Sequence, residues 1–316
     1  MTKPILAIGG ENLIDYVDRD GEISALAGGS PFNVAMALGR QGVAVAYVSP
    51  ISTDDWGVLL ADTLAASGVA LTGGRRGEPT TMARVTVTGV IPTYRFERDG
   101  TAERMVNRNR LAAALPKGTS ALHTGSLALT DGADAEIWES FCAEQYERGL
   151  VISLDPNVRL SVIADLDTYR ARIRRMCART HVLKLSDEDL EGLFPGDDLD
   201  VALDELIRTS SARVIILTRG EHGVSAWLGD TRIELPADHT DAMVDTVGAG
   251  DTFMATLLAG LAAAGVLTPV GLDHLDTETL TMILRRAATA ATINCTRAGC
   301  NPPNLAELEA VLNAKA

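Results

Sequence analysis

The residues from Asp245 to Phe253 read Asp-Thr-Val-Gly-Ala-Gly-Asp-Thr-Phe, and Phe253, Leu257 and Leu261 then recur at helical spacing. Glycines at 248 and 250 permit a tight turn into that helix. The amides of Gly248, Ala249 and Gly250 then point into the space above the turn, as an anion site of the kind phosphates occupy. Asp251 opens the same helix, where the dipole favours an ionised carboxylate. A carboxylate beside a phosphate cradle suits a base that takes a hydroxyl proton while a phosphoryl group is transferred. Standing alone, a G-x-G-D is better explained by a turn and a helix cap.

A second stretch, Gly28-Gly29-Ser30-Pro31-Phe32-Asn33-Val34-Ala35, adds to this chemistry. Ser30 is expected to cap a helix with Pro31 at its first position. Gly28 and Gly29 let a ligand approach the backbone, and Asn33 offers a donor and an acceptor to sugar hydroxyls, although alone it reads equally as a solvent-facing helix residue. Other chemistries lack their motifs. There is no G-x-x-x-x-G-K-[ST], G-x-S-x-G or H-E-x-x-H, and Gly9-Gly10-Glu11 does not complete a dinucleotide fingerprint. The histidines are scattered, and His123 reads as a structural residue at a strand end.

Together the two stretches resemble the D-T-x-G-A-G-D and G-G-x-x-x-N-x-A signatures of the ribokinase-like (PfkB) carbohydrate kinase family, and the resemblance runs from residue 4 to 312. It implies an ATP-dependent sugar kinase with magnesium, in which Asp251 is the catalytic base and Gly248, Ala249 and Gly250 form the anion hole. The implied sugar site comprises Asp15, Gly28, Gly29, Asn33, Phe96 and Arg159, the arginine coming from Asp155-Pro156-Asn157-Val158-Arg159, which looks like the family's D-x-N-x-R loop. The implied nucleotide site comprises Lys184, Ser186, Thr218, Gly220, Gly223 and Asn294, with Thr218 to Gly223 similar to a T-x-G-x-x-G segment. Ser186-x-x-Asp189 stands where relatives carry N-x-x-E, so Asp189 is the expected member of a magnesium network, with Asp187 or Glu188 as substitutes. Asp245, Val247 and Gly299 match positions where relatives place potassium. The stretch from Cys295 to Pro303 is most similar to bacterial fructokinases. A 2-keto-3-deoxygluconate kinase is the alternative, then a ribokinase or nucleoside kinase, and, in another class, a non-catalytic sugar-sensing protein.

These residues need a scaffold. Short apolar runs at 5–9, 45–49, 150–154, 181–185 and 213–218 alternate with helical patterns at 31–41, 56–67, 135–148 and 169–178. Apolar strands alternating with helices predict an α/β fold, a mostly parallel sheet covered by helices on both faces. A hairpin at 223–228 and 231–235 follows, then helices from about 250, over 278–294 and over 305–312. Residues 14–18, 22–26, 83–88 and 93–98 instead alternate apolar and polar side chains, the mark of a sheet with one wet face. They predict a small antiparallel β lid, formed by about 12–26 and 82–106, on a single kinase domain spanning 1–316. The aromatic side chains of Tyr94 and Phe96 would cover the sugar or a second subunit, and relatives dimerise there.

Composition narrows the class. The 316 residues are 46% hydrophobic and 22% charged, so a globular chain is expected. A net charge of −14 and only 4% aromatic residues argue against nucleic acid. No signal-peptide h-region and no run of about 18 apolar residues occur, so neither secretion nor a membrane span is expected. Cys142, Cys177, Cys295 and Cys300 form no C-x-x-C pair, which fits a reducing, cytoplasmic setting.

Overall fold

Val151–Asp155 and Val182–Ser186 are buried along their whole length apart from the last residue of the second, as strands must be when helices cover both faces of a sheet. They lie at the middle of nine strands in the computed structural model of the protein, which describes residues 4–19, 22–88 and 91–315. The side chains of 17–19, 22–23, 85–88, 91–94 and 315 are outside that description. The strand order is Thr231–Leu235, Val224–Leu228, Val214–Thr218, Val182–Ser186, Val151–Asp155, Thr119–Gly125, Ile5–Ile8, Ala44–Tyr47 and Ala70–Leu71. Seven of them run parallel, and the hairpin adds two antiparallel strands at one edge.

Two apolar layers result. On one face Leu6, Ile8, Val151, Val182 and Val214 meet the helices Ser30–Arg40, Ala249–Ala263 and Thr277–Cys295. On the other, Leu122, Ile152, Leu183 and Ile215 meet Gly132–Glu147 and Leu166–Cys177. The Ala249–Ala263 helix buries every residue from Asp251 to Leu258, because it lies between the other two helices and the sheet. The expected strands and helices all form, with ends shifted by a few residues. Thr119–Gly125 was legible only at its His123 end, and the two-residue strand Ala70–Leu71 is too short to carry a period.

The lid strands form a separate sheet, in the order Glu22–Gly28, Leu13–Arg19, Thr81–Thr88 and Ile91–Glu97. Each half is an antiparallel hairpin, and the halves join by parallel pairing of Leu13–Arg19 with Thr81–Thr88. Strands so far apart in sequence need no tight turn between them, so parallel pairing is open to them. The second half reaches Glu97, after which the chain returns to the main body through Ala102–Arg104 and Arg108–Ala114. Phe96 packs on the chain's own Leu13, Ala83 and Leu127, while the side chain of Tyr94 lies outside the described residues. Among the described residues no helix is long and apolar enough to cross a membrane, and all four cysteines are free.

Candidate active site

Asp251 is the third residue of the Ala249–Ala263 helix and only 7% exposed. Its Oδ1 accepts the Ser30 hydroxyl at 2.7 Å and its Oδ2 accepts Asn33 Nδ2 at 2.8 Å. Burial pushes its carboxyl above the ordinary aspartate range, and these two bonds offset the rise only in part. Asn33 is buried, not solvent-facing, and its Oδ1 has no hydrogen-bond partner.

The start of the first helix differs from expectation. Its cap is Gly29, with φ 107°, so Ser30 is the first helical residue and Pro31 the second. Ser30 does not cap, because its hydroxyl is turned to Asp251. The two glycines are also approached by the protein's own groups, whatever a ligand does. A Cβ at Gly28 would stand 2.4 Å from Asp15 Oδ2, and one at Gly29 2.7 Å from the Glu11 carbonyl oxygen.

Asp15, on the Leu13–Arg19 strand, has its carboxyl raised to about 6 by burial and by the nearby charge of Asp251, while Arg159 opposes the rise. Arg159 is exposed and lies beside the 3-10 turn Leu160–Val162. Asp15, Asn33, Arg159 and Asp251 therefore converge between lid and sheet. Phe96 lines a groove of about 770 Å³ with Arg84, Arg98 and Val162, and none of the four converging residues lines it.

The turn before Asp251 is tied down from the C-terminal region. Gly248 is left-handed, at φ 74°, and a Cβ there would stand 2.3 Å from Cys300 Sγ. Asp245 accepts the Val247 amide at 3.0 Å and the Gly299 amide at 2.9 Å. Asn294, fully buried, donates to the Val247 carbonyl at 2.7 Å and accepts the Asn301 amide at 2.8 Å. Of the three amides expected to meet an anion, that of Ala249 donates to the Thr246 carbonyl at 3.1 Å.

Beneath Gly250 lies the Lys184 ammonium, 3.3 Å from where a Cβ would be. Lys184 Nζ donates to Asp155 Oδ2 at 2.8 Å, both residues being buried, and Asp155 Oδ1 has no partner. Burial pulls Lys184 down, but Asp155, Asp189 and Asp251 outweigh it, so the ammonium holds its proton above the ordinary lysine range. On the next strand but one, His123 Nδ1 meets Ser153 Oγ at 2.9 Å, and burial with Lys184 nearby pushes the ring down to about 3. A neutral, buried histidine is the structural role expected of it.

Ser186 and Asp189 form a capping box at the start of Asp187–Leu193: Ser186 Oγ accepts the Asp189 amide at 3.0 Å and Asp189 Oδ2 accepts the Ser186 amide at 2.8 Å. Asp189 Oδ1 takes the Val158 amide at 2.5 Å, fastening the loop that carries Arg159. Both carboxylate oxygens thus accept backbone amides, a structural role beside the magnesium network expected of Asp189. Thr218, Gly220 and Gly223 border the short turn Gly220–His222, where Arg219 N donates to the Gly223 carbonyl at 2.9 Å. Among the described residues no group of three or more Asp, Glu, His or Cys side chains is arranged to hold a metal.

Sequence reasoning missed Glu11. It is 1% exposed and accepts the Ser30 amide at 3.0 Å and the Ala128 amide at 3.2 Å. A lone acidic residue directly after an apolar strand was the available signal.

The sequence pattern of the pfkB family carbohydrate kinase matches residues 10–307. The chain is 37% identical to a fructokinase of Rhizobium leguminosarum bv. trifolii over 281 residues, 86% of this chain and 84% of the relative. It is 28% identical to a probable fructokinase-4 of Arabidopsis thaliana, over 98% of this chain and 97% of that one. The crystal structure of a fructokinase with bound ATP from Xylella fastidiosa superposes with a TM-score of 0.91 at 25% identity, covering 99% of both chains.

The desolvated pair beneath the turn makes a stability prediction. Asp155→Ala leaves the Lys184 charge buried and unpaired and should cost about 3–5 kcal/mol in urea unfolding. Asp155→Leu combined with Lys184→Met should recover most of that loss. An unchanged midpoint for Asp155→Ala would mean that the pair is not desolvated.

Proposed function

The chain belongs to the pfkB family of carbohydrate kinases, and we propose on that premise that it moves the γ-phosphoryl group of ATP to a hydroxyl of fructose. The observation that carries this is the buried Asp251 carboxylate, held by Ser30 and Asn33 at the start of a helix and above a lysine. A carboxylate with each oxygen already accepting one hydrogen bond keeps lone pairs for a further proton. Asp251 is the base that takes the proton of the attacking hydroxyl. The raised carboxyl shortens the gap to an alcohol and makes the transfer easier than for an exposed aspartate. The amides of Gly248 and Gly250 face the transferring phosphoryl group, while that of Ala249 stays on the Thr246 carbonyl and holds the turn. Lys184 adds charge from below.

The sugar lies among Asp15, Gly28, Gly29, Asn33, Phe96 and Arg159. Asn33 Oδ1, unpartnered in the chain alone, supports an added hydroxyl donor there. ATP lies over Ser186, Thr218, Gly220 and Gly223, and Asn294 acts by holding the turn rather than by touching the nucleotide. Magnesium would be carried mainly by the nucleotide phosphates and water, as the lack of a ready carboxylate cluster among the described residues suits, and supplies charge neutralisation there. The name of the 37% identical relative favours fructose. Arg159, exposed and opposite Asp15, favours a sugar acid such as 2-keto-3-deoxygluconate as the second reading. Ribose and nucleosides rank after these. A sugar sensor without activity would dispense with Asp251, which is present.

Three finer proposals accompany this. The protein acts in the cytoplasm, as its free cysteines suit, and secretion of the tagged chain would count against it. A homodimer forms through the lid, whose strands carry Leu26 47% exposed; a monomer in sedimentation at micromolar concentration would exclude it. Potassium adds to the tie made by Asp245, Val247 and Gly299, so turnover should be higher in potassium than in tetramethylammonium at matched ionic strength. Equal rates would remove the ion.

Two measurements test the main reading. ADP release over fructose, 2-keto-3-deoxygluconate, ribose and adenosine should be fastest with fructose, and failure of all four with ATP still bound would return the sensor. Asp251→Asn should keep the fold and ATP affinity but lose about 10²- to 10⁴-fold in kcat. In the wild type the rate should fall as pH drops through the raised Asp251 value, above where an exposed aspartate titrates. Normal turnover in folded Asp251→Asn would refute the assignment.

A further inference from the structure

Gly29 caps the Ser30–Arg40 helix without a side chain to receive its first amides. The acceptor comes from a different segment. Glu11 leaves the end of the first strand and places Oε1 3.0 Å from the Ser30 amide, with Oε2 3.2 Å from the Ala128 amide. The close approach depends on Gly29, whose Cβ would collide with the Glu11 carbonyl. Ser30, held by its amide, then donates its hydroxyl to Asp251 Oδ1. One residue thus connects the buried Glu11 carboxylate to the Asp251 carboxylate, through its amide on one side and its hydroxyl on the other.

We propose that Glu11 is a positioning residue for Asp251, acting through Ser30, and that phosphoryl transfer requires the Glu11 carboxylate to be ionised. The proposal rests on the reading of Asp251 as the proton acceptor. Its logic is one of donors and acceptors. Two amides address two oxygens, and a proton taken on a free lone pair of either one removes the charge and leaves that oxygen a poorer acceptor, so the amide contact it holds weakens. If that contact is Ser30, its hydroxyl is free to drift from Asp251.

The surroundings bring this event close to neutral pH. Burial raises Glu11 to about 7, its backbone hydrogen bonds and Arg98 opposing the rise and Glu103 adding to it. Arg98 is shared: its Nε donates to Glu103 at 3.2 Å and its Nη1 to Thr130 Oγ1 at 3.1 Å, so its charge is not given to Glu11 alone. The other titratable neighbour is Tyr47, whose hydroxyl donates to the Gly10 and Glu11 carbonyls at 3.0 Å and, raised by burial, stays protonated. Because the folded value lies above that of a free glutamate, the ionised clamp is present above pH about 7 and is lost as pH falls through it.

Glu11→Gln keeps the size and one acceptor, puts an NH₂ against the second amide, and cannot titrate. With ATP and fructose, its kcat should fall about ten- to a hundredfold with KM for ATP unchanged, as for a misplaced catalytic group. The wild-type acid limb near pH 7 should be missing from its profile. In a Ser30→Ala background, which keeps the amide and lacks the hydroxyl, adding Glu11→Gln should change kcat by less than about twofold, since the route is already cut. Wild-type kcat with an unchanged pH profile in Glu11→Gln would overturn the proposal, and so would fully multiplicative losses in the double variant. If Glu11→Gln does not fold, Ser30→Ala decides alone: it should flatten the limb near pH 7, and retention of that limb overturns the proposal. Asp251→Asn separates the two readings. Activity there sinks the base itself, whereas an inactive Asp251→Asn beside an indifferent Glu11→Gln sinks only the role of Glu11.

Discussion

The carboxylate of Asp251 is bonded to Ser30 and Asn33, which lie 221 and 218 residues away in sequence. A buried carboxylate is tolerated only where donors satisfy it, so these contacts are a condition of the fold at this point. They lock the starts of two helices together over the same end of the sheet. The Ala249–Ala263 helix can then bury almost all of its first half between sheet and neighbours, and its opening amides stay at the surface of the cleft. Lid and main body meet here as well, since Glu11 lies between the first strand and the lid strand Leu13–Arg19, and the lid strand Glu22–Gly28 runs through Gly29 into the Ser30–Arg40 helix.

The turn that precedes Asp251 is built in the same manner, from distant parts. Asp245 and Asn294 spend their side chains on the backbone of residues 247, 299 and 301, and Cys300 fills the space that a side chain at 248 would need. Amides that are to stabilise developing charge must not reorganise when it arrives. A turn bonded on both sides and packed against sulfur meets that need with few moving parts. The capping box of Ser186 and Asp189 does similar work for the loop of Arg159, by way of the Val158 amide. In this chain the Asp189 carboxylate serves both its own helix cap and the neighbouring loop.

Electrostatics in a chain of net charge −14 are handled locally. Lys184 is buried beside Asp155 and below the turn, where it has little solvent to screen it. Four carboxyl groups cluster within its reach or close by: Asp155, Asp189, Asp251 and Asp15. Burial raises Asp15, Asp189 and Asp251, and their mutual repulsion raises them further where they face each other. Such a site stores an unfavourable negative charge that one proton or one cation relieves, and this is the state in which a proton acceptor is useful.

The α/β alternation, the parallel sheet, the lid and the candidacy of Asp251 and Asn33, which the fold brings into contact, were legible in the sequence. Periodicity of burial writes itself into residue order, and a turn leading into a helix needs glycines at set spacings. Partnerships were not legible. Ser30 read as a helix cap, the local role its type most often fills, and only the approach of Asp251 from the neighbouring helix on the same face of the sheet turned its hydroxyl elsewhere. Asp189 read as a metal neighbour, and the fold adds that both of its oxygens accept amides. Asn294 and Asp245 read as ligand positions, and the fold adds that their side chains tie down a turn. Glu11 carried only the weak signal of a lone acidic residue after an apolar strand, because its meaning lies in two amides 19 and 117 residues away. A side chain's type sets what it can donate or accept, which sequence displays. Which donor meets which acceptor is decided by long-range packing, and that exists only in the folded chain.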